Sequence, residues 1–470
     1  MLRLATRLPP ALALGVATLA AALPTTAAAA PIEFVEARRN FMIFNDVDGT
    51  VEHNNWYNRD PFFVGYQAIE DGFLAVHADD SQFLAVYTTW ELGSGVGAFF
   101  QSLANDVEGI GYEHAAAIDA IIPAPYFDDT PNSQLYGFMH MNDWRWHVLP
   151  DLSALDERWI SLVFGQELGH AWLSFVRHGD GATDMLGRAL AHWSFYLQTG
   201  GSPIQGHDWI DNEDGTFTAI PHDEFQYSDL DLYLMGLMSA DEVAPWFLIE
   251  NPHDCVDSAK EDKSCAAADA FQFQAPSYTV SGTRRDFTIK DVIDFEGDRV
   301  PSYADSPKSF DISFLLIKRP DEVLCDDELE AIEAVVERSI EMWVEQTRGR
   351  ANLINRTAAE EAVPQGPNCG ETGTTGGDET TGGDETTGGT TGGGTSGSTT
   401  GDDATGTGAA SDTTGDDATD TSATTGGQDE LGGCACAASP TDDAPRQLGL
   451  SLGLGLLCAG RRRRRRTLSR

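Results

Sequence analysis

The sequence predicts an α+β domain between residues 31 and 355, and three features carry that prediction. Short aromatic and aliphatic runs bounded by turn residues read as strands in the first part and again near residue 310. A strongly apolar helical stretch lies near the middle, and a one-faced helix closes the region. About 325 residues rich in aromatics supply a large core and approach the size at which one core divides into two lobes.

Taken in order, FMIFNDVDGTV places a turn at Asp46 to Gly49. FLAVYTTW (83–90) and YGFMHMN (136–142) are predicted strands. A helix follows from about Leu155 to Val176, with Asp156 and Glu157 in its first turn, where the helix dipole favours acids. Trp159, Ile160, Val163, Phe164, Trp172 and Phe175 surround it almost completely, which predicts a buried helix. Another helical stretch is expected from about Met185 to Leu197. WIDNEDGTFTAI (209–220) reads as a hairpin around Glu213 to Gly215. Its acidic turn suggests a calcium loop, but Ile210 stands where the first ligand Asp belongs, so the plain hairpin is favoured. YSDLDLYLMGLM (227–238) begins a helix capped by Ser228. SFDISFLLIK reads as a strand, and the last helix starts at Asp326 with Leu329, Ile332, Val336, Ile340 and Trp343 on one face.

The ends of the chain read as addresses. Arg3 and Arg7, an apolar run to Leu23 and the small residues Ala27 to Ala30 make residues 1–30 a secretory signal. Residues 356–433 are a linker; from Gly370 onward it is Gly, Thr, Ser, Asp and Glu with almost nothing to bury, so disorder is expected. Residues 434–470 hold Cys434 and Cys436, an apolar segment from Leu448 to Gly460 and the arginines 461–466. The segment is short against the roughly 17–25 residues of a spanning helix. This tail resembles the MYXO-CTERM sorting tails of myxobacterial surface proteins. The resemblance implies processing near Cys434 and Cys436 and display at the cell surface, or release, with membrane contact only through the tail.

The formal net charge is −44, and most of it falls between the signal and the linker. Such a surface repels nucleic acid and anionic membrane and attracts cations, calcium included. In an exported chain Cys255 with Cys265, and Cys325 with Cys369, read as two disulfides ahead of metal ligands.

The candidate chemistry sits in FGQELGH (164–170). Gln166 and His170 are four apart on one helix face, with Glu167 one step round. In the zinc-protease signature H-E-x-x-H two imidazoles hold the metal and the Glu accepts a proton from its water. Here Gln166 replaces the first His, and an amide oxygen is a poorer zinc ligand than imidazole. The plain alternative is a satisfied polar cluster in a core helix. No G-x-S-x-G, P-loop or dinucleotide fingerprint points to another enzyme class.

VFGQELGHAW resembles VLAHELGHRW-type helices of secreted bacterial zincin-like proteins. NDVEGIG (105–111), GRALAHWSFYLQTGGSPIQG (187–206), DWIDNEDGTFT, YSDLDLYLMGL, SGTRRDFTIKDVI and GDRVP are similar, in order, to segments of a set of myxobacterial HExxH proteins. The resemblance implies a zincin-like fold: a twisted sheet lobe, an active-site helix below it and a mostly helical lower lobe. It implies a third zinc ligand on a following helix, for which His192 is the candidate, Asp231 the rival, and a core His beside Trp193 the plain alternative. Met235 resembles the methionine placed under the metal in some zincins, and a core Met is its alternative. His178 and His140 rank lower. Three functions follow as expectations: a weakened zinc metallopeptidase with Glu167 as base, a pseudoenzyme binding a peptide or protein, or an adhesive surface protein.

Overall fold

The computed structural model describes residues 32–359, apart from 54–58, 93–96, 114–133, 151, 223, 258–263 and 272–277. The signal, the linker beyond residue 359, the sorting tail, Cys434, Cys436 and Cys369 lie outside the described residues.

Among the described residues the fold is α+β with two sheets. The first contains β1 (Glu33–Ala37), β2 (Met42–Asn45), β11 (Ser309–Lys318), β3 (Phe83–Thr88), β5 (Gly137–Asp143) and β4 (Phe99–Ser102), side by side in that order. β2, β11, β3 and β5 run parallel, and β4 closes one edge antiparallel. β12 (Asn352–Asn355) pairs with β11. Being covered on both faces, the inner strands are continuously apolar, as in FLAVYT and SFLLI. Alternation still sorts them. Leu84, Val86, Leu315 and Ile317 face α2 (Arg59–Leu74), while Phe83, Ala85, Tyr87 and Phe314 face the other core.

That other core is built on α3 (Glu157–Gly169) and α6 (Asp326–Gln346). Asp156 caps α3 by accepting from the Trp159 N–H, and Glu157 pairs with Arg338 of α6 at 2.7 Å. Gly165 lets the two helices close, because a Cβ there would lie 2.3 Å from Gln346 Oε1. Leu329, Ile332, Val336 and Trp343 are buried as the one-faced pattern requires.

The sequence expectation fails in three places between α3 and β11. The helix does not reach Val176; it ends at Gly169 with His170 as its C-cap. Past it the Trp172 ring packs edge-on or tilted against Phe83, Phe310 and Trp343, so contacts with the sheet and α6 take residues whose apolarity had suggested more helix. Met185 to Leu197 is not helical. Gly187 opens a short 3-10 turn, Arg188–Leu190, in which Ala189 and Leu190 take left-handed φ, and Trp193–Gln198 is strand β6. Nor is the lower part mostly helical. β6, β7 (Gln205–Asp211), β8 (Thr216–Ile220), β10 (Tyr278–Phe287) and β9 (Trp246–Asp257) form a closed barrel. Phe195, Trp209, Phe217 and Tyr278 are buried in its apolar core, and a short apolar run reads alike as buried helix or buried strand.

The hairpin is present as β7–β8, and Ser228 caps α4 (Asp229–Leu234) in a capping box with Asp231. Cys255 and Cys265 form a disulfide. Cys325 is disulfide-bonded, and its expected partner Cys369 lies outside the described residues.

Candidate functional site

The end of α3 carries Gln166, Glu167 and His170 into the core beside the barrel entrance. Gly169 permits this approach: a Cβ there would sit 2.8 Å from Ile204 Cδ1, so the neighbour it admits is a side chain. The strand entering the barrel then delivers Gln205, which holds φ at 80°. A non-glycine residue in the left-handed region is strained unless its surroundings fix it, and here the side chain is tied down. Gln205 Nε2 donates to Gln166 Oε1 at 2.9 Å, and Gln166 Nε2 donates to Glu167 Oε1 at 3.1 Å. Both groups of the Gln166 amide are therefore engaged. Gln166 and Glu167 are 0 % exposed and His170 2 %.

His192 comes to His170, as the sequence suggested, though from the start of β6 and not from a helix. The two rings meet edge to face with centroids 4.9 Å apart. His192 Nδ1 donates to the Arg188 carbonyl at 2.8 Å, which fixes the tautomer and leaves Nε2 a bare lone pair. That Nε2 is buried without a hydrogen-bond partner among the described residues, as is Gln205 Oε1. Burial, with the nearby Arg188 charge, lowers His170 to about 3. Burial likewise pushes His192 well below its ordinary value, helped by Arg188 and His170. Both imidazoles are neutral at physiological pH.

The other candidates are elsewhere or occupied. Asp231 accepts from Trp193 Nε1 at 2.7 Å and from the Ser228 N–H at 2.8 Å, so it ties the barrel to the cap of α4. Met235 is buried at the end of α4, against a different cavity. His178 bonds Asp184 and packs on Phe287. His140 packs tilted against Phe99, its cross-strand partner in β4. In the acidic hairpin Asp211 and Asp214 accept from the Glu213 and Thr216 N–H groups, so these carboxylates hold the turn.

Two neutral imidazoles, one with an unpartnered Nε2, suit zinc. The remaining donor set does not. A catalytic zinc takes three protein ligands. Gln166 is already bonded on both sides, Asp231 is bound elsewhere, and among the described residues no three His, Cys, Asp or Glu side chains gather to hold a metal. Arg188 also puts a positive charge beside both rings, which opposes a dication. Gln205 and Arg188 escaped the sequence reading. Both lie in the GRALAHWSFYLQTGGSPIQG stretch, but nothing in their spacing marks them, since each reaches the site only through long-range folding the sequence does not display.

No family model, no curated protein and no solved structure matches the chain.

Proposed function

We infer that the chain is an exported, surface-displayed protein of zincin-like descent whose HExxH-type site supports weak or no zinc-dependent peptide hydrolysis. The carrying observation is the amide chain Gln205 to Gln166 to Glu167, which fills the place of the first imidazole with a bonded, buried amide. The buried helix that carries Glu167 and ends on His170, under a mixed sheet, favours the zincin-like reading, and the strand barrel that follows departs from it. Glu167 keeps the position of a general base, but it is fully buried and bonded to Gln166. Peptide or protein binding without cleavage is the accompanying role. Neither a bound zinc nor a bound calcium is needed for it.

The test is the zinc content of the purified full-length chain beside His170→Ala and Gln166→His. The reading expects little zinc in the native protein and a gain in Gln166→His. Near-stoichiometric zinc in the native protein that is lost in His170→Ala, together with chelator-sensitive peptide cleavage, would overturn it.

A further inference from the structure

Three segments singled out in the sequence find no use at the histidine pair: NDVEGIG, the end of YSDLDLYLMGL, and GDRVP. The fold brings them together. Glu108 and Val300 pair backbone to backbone at 2.9 and 3.1 Å. Gly109 allows the approach, since a Cβ there would lie 2.6 Å from the Asp298 carbonyl. Gly236 does the same for Arg299, whose Cζ would be 2.7 Å from a Cβ. Between these segments and the turn after α3 lies a cavity of about 160 Å³.

Its walls include the aromatic rings of Phe83, Phe100, Tyr136, Trp172 and Phe310, and Arg299 and Asp106 are its charged groups. Arg299 is 6 % exposed. Its Nε donates to the Leu234 carbonyl, and its Nη1 to Ser306 Oγ and the Pro301 carbonyl. Nη2 makes no hydrogen bond and the guanidinium makes no ion pair among the described residues. Burial alone lowers Arg299 to about 10. Lys308, the next cation, also bonds only to carbonyl oxygens, at Gly236, Tyr303 and Ser306. Two neighbouring cations in a chain carrying 74 acidic residues thus have no carboxylate partner among the described residues. A desolvated guanidinium with a free donor is stabilised by an anion.

We propose that this cavity binds a small carboxylate carried on an aromatic body, with the carboxylate on Arg299 and the ring among the aromatic walls. The volume suits one ring, since an apolar cavity of about 150 Å³ accommodates benzene. Asp106 is exposed at the rim, where solvent screens its repulsion. The carboxylate comes either from a free acid or from the C-terminus of a peptide ending in an aromatic residue. This inference stands apart from the zinc question and survives either answer to it.

The test uses the full-length chain with phenylacetate, phenylacetamide, the dipeptide Gly-Phe and its C-terminal amide, followed by ligand-observed NMR and calorimetry. An acid is expected to bind about tenfold or more tightly than its amide, the scale of one charge-assisted hydrogen-bond pair. Phenylacetate binding assigns a free acid, and Gly-Phe binding without phenylacetate assigns a peptide terminus. Arg299→Gln should erase the preference for acid over amide. Because Arg299 also fastens the chain, Ala104→Trp serves as the second variant: it fills the cavity from an exposed rim position and should abolish binding. Equal affinity for acid and amide, binding unchanged in Ala104→Trp, or no binding of either acid at millimolar concentration would overturn the proposal.

Discussion

The polar cluster at Gln166 and the cavity at Arg299 both adjoin the end of α3, one through His170 and the other through Ala171 and Trp172, and they use their polar atoms differently. In the cluster the amides of Gln205 and Gln166 bond to one another and to Glu167, within a packed interior. At the cavity a guanidinium bonds only to neutral oxygens and keeps one nitrogen free beside open space. The segment that resembles a catalytic motif spends its amides on one another, while His192 Nε2 and Gln205 Oε1 beside it stay without a partner among the described residues. The segment with no catalytic motif holds its charge, Arg299, in the wall of a cavity with no carboxylate partner among the described residues. Resemblance to an active site and readiness to receive a ligand are separable properties of a buried polar group.

The sharpest way to separate the regions is pH. Burial lowers His140, His170 and His207 to about 3 and His147 to about 4, while each imidazole titrates near 6.5 when unfolded. The unfolded chain therefore binds more protons across this window. The stability these histidines contribute is fully present above about pH 6.5 and is lost as pH falls toward the folded values. Chemical denaturation should show a loss of about 1 kcal/mol per pH unit for each such histidine, several in total, and His170→Gln should reduce the slope by one proton. No histidine lines the cavity, so affinity for an aromatic carboxylate should hold between about pH 7.5 and 6 while stability has begun to fall.

A smaller effect is expected from Gln166→Leu. It leaves the Gln205 amide and the Glu167 carboxylate short of a buried partner, at a cost of about 2–3 kcal/mol in unfolding free energy. Binding at the cavity should be unchanged in the folded fraction; a parallel loss of binding would mean that the two regions are one coupled unit. The smallest change comes from Asp106→Asn, which removes an exposed acid from the rim. It should tighten carboxylate binding about two- to fivefold at low salt and leave stability alone, with the gain fading as salt is added.

Much of this was legible in the sequence, and the part that was not has a common cause. The strands at Phe83 and Ser309, the β7–β8 hairpin, the Ser228 cap and the closing helix carry local signals: alternation, turn residues, a capping residue, one apolar face. The meeting of His170 with His192 was also foreseen from the sequence, although His192 was expected on a helix. The barrel was not legible, because ALAHWSFYL is apolar at every spacing and only its long-range partners decide between helix and strand. Gln205 and Arg299 were missed for the same reason. Each is polar in sequence and becomes informative only once the surrounding chain has removed it from water.

The place of β11 in the sheet bears on how the chain reaches this structure. Leu315 and Leu316 pair with Met42 and Ile43 on one side and with Val86 and Tyr87 on the other, so the strand that joins the two halves of the sheet is the last but one of the described strands. Until it emerges, β2 stands apart from β3 and β5, and both inner edges are exposed apolar strand. Contacts this distant in sequence form slowly, and open edges of this kind invite pairing with other chains. The first sheet therefore cannot close before Ser309–Lys318 is made, and its waiting strands depend on protection from their neighbours until that strand slides between them.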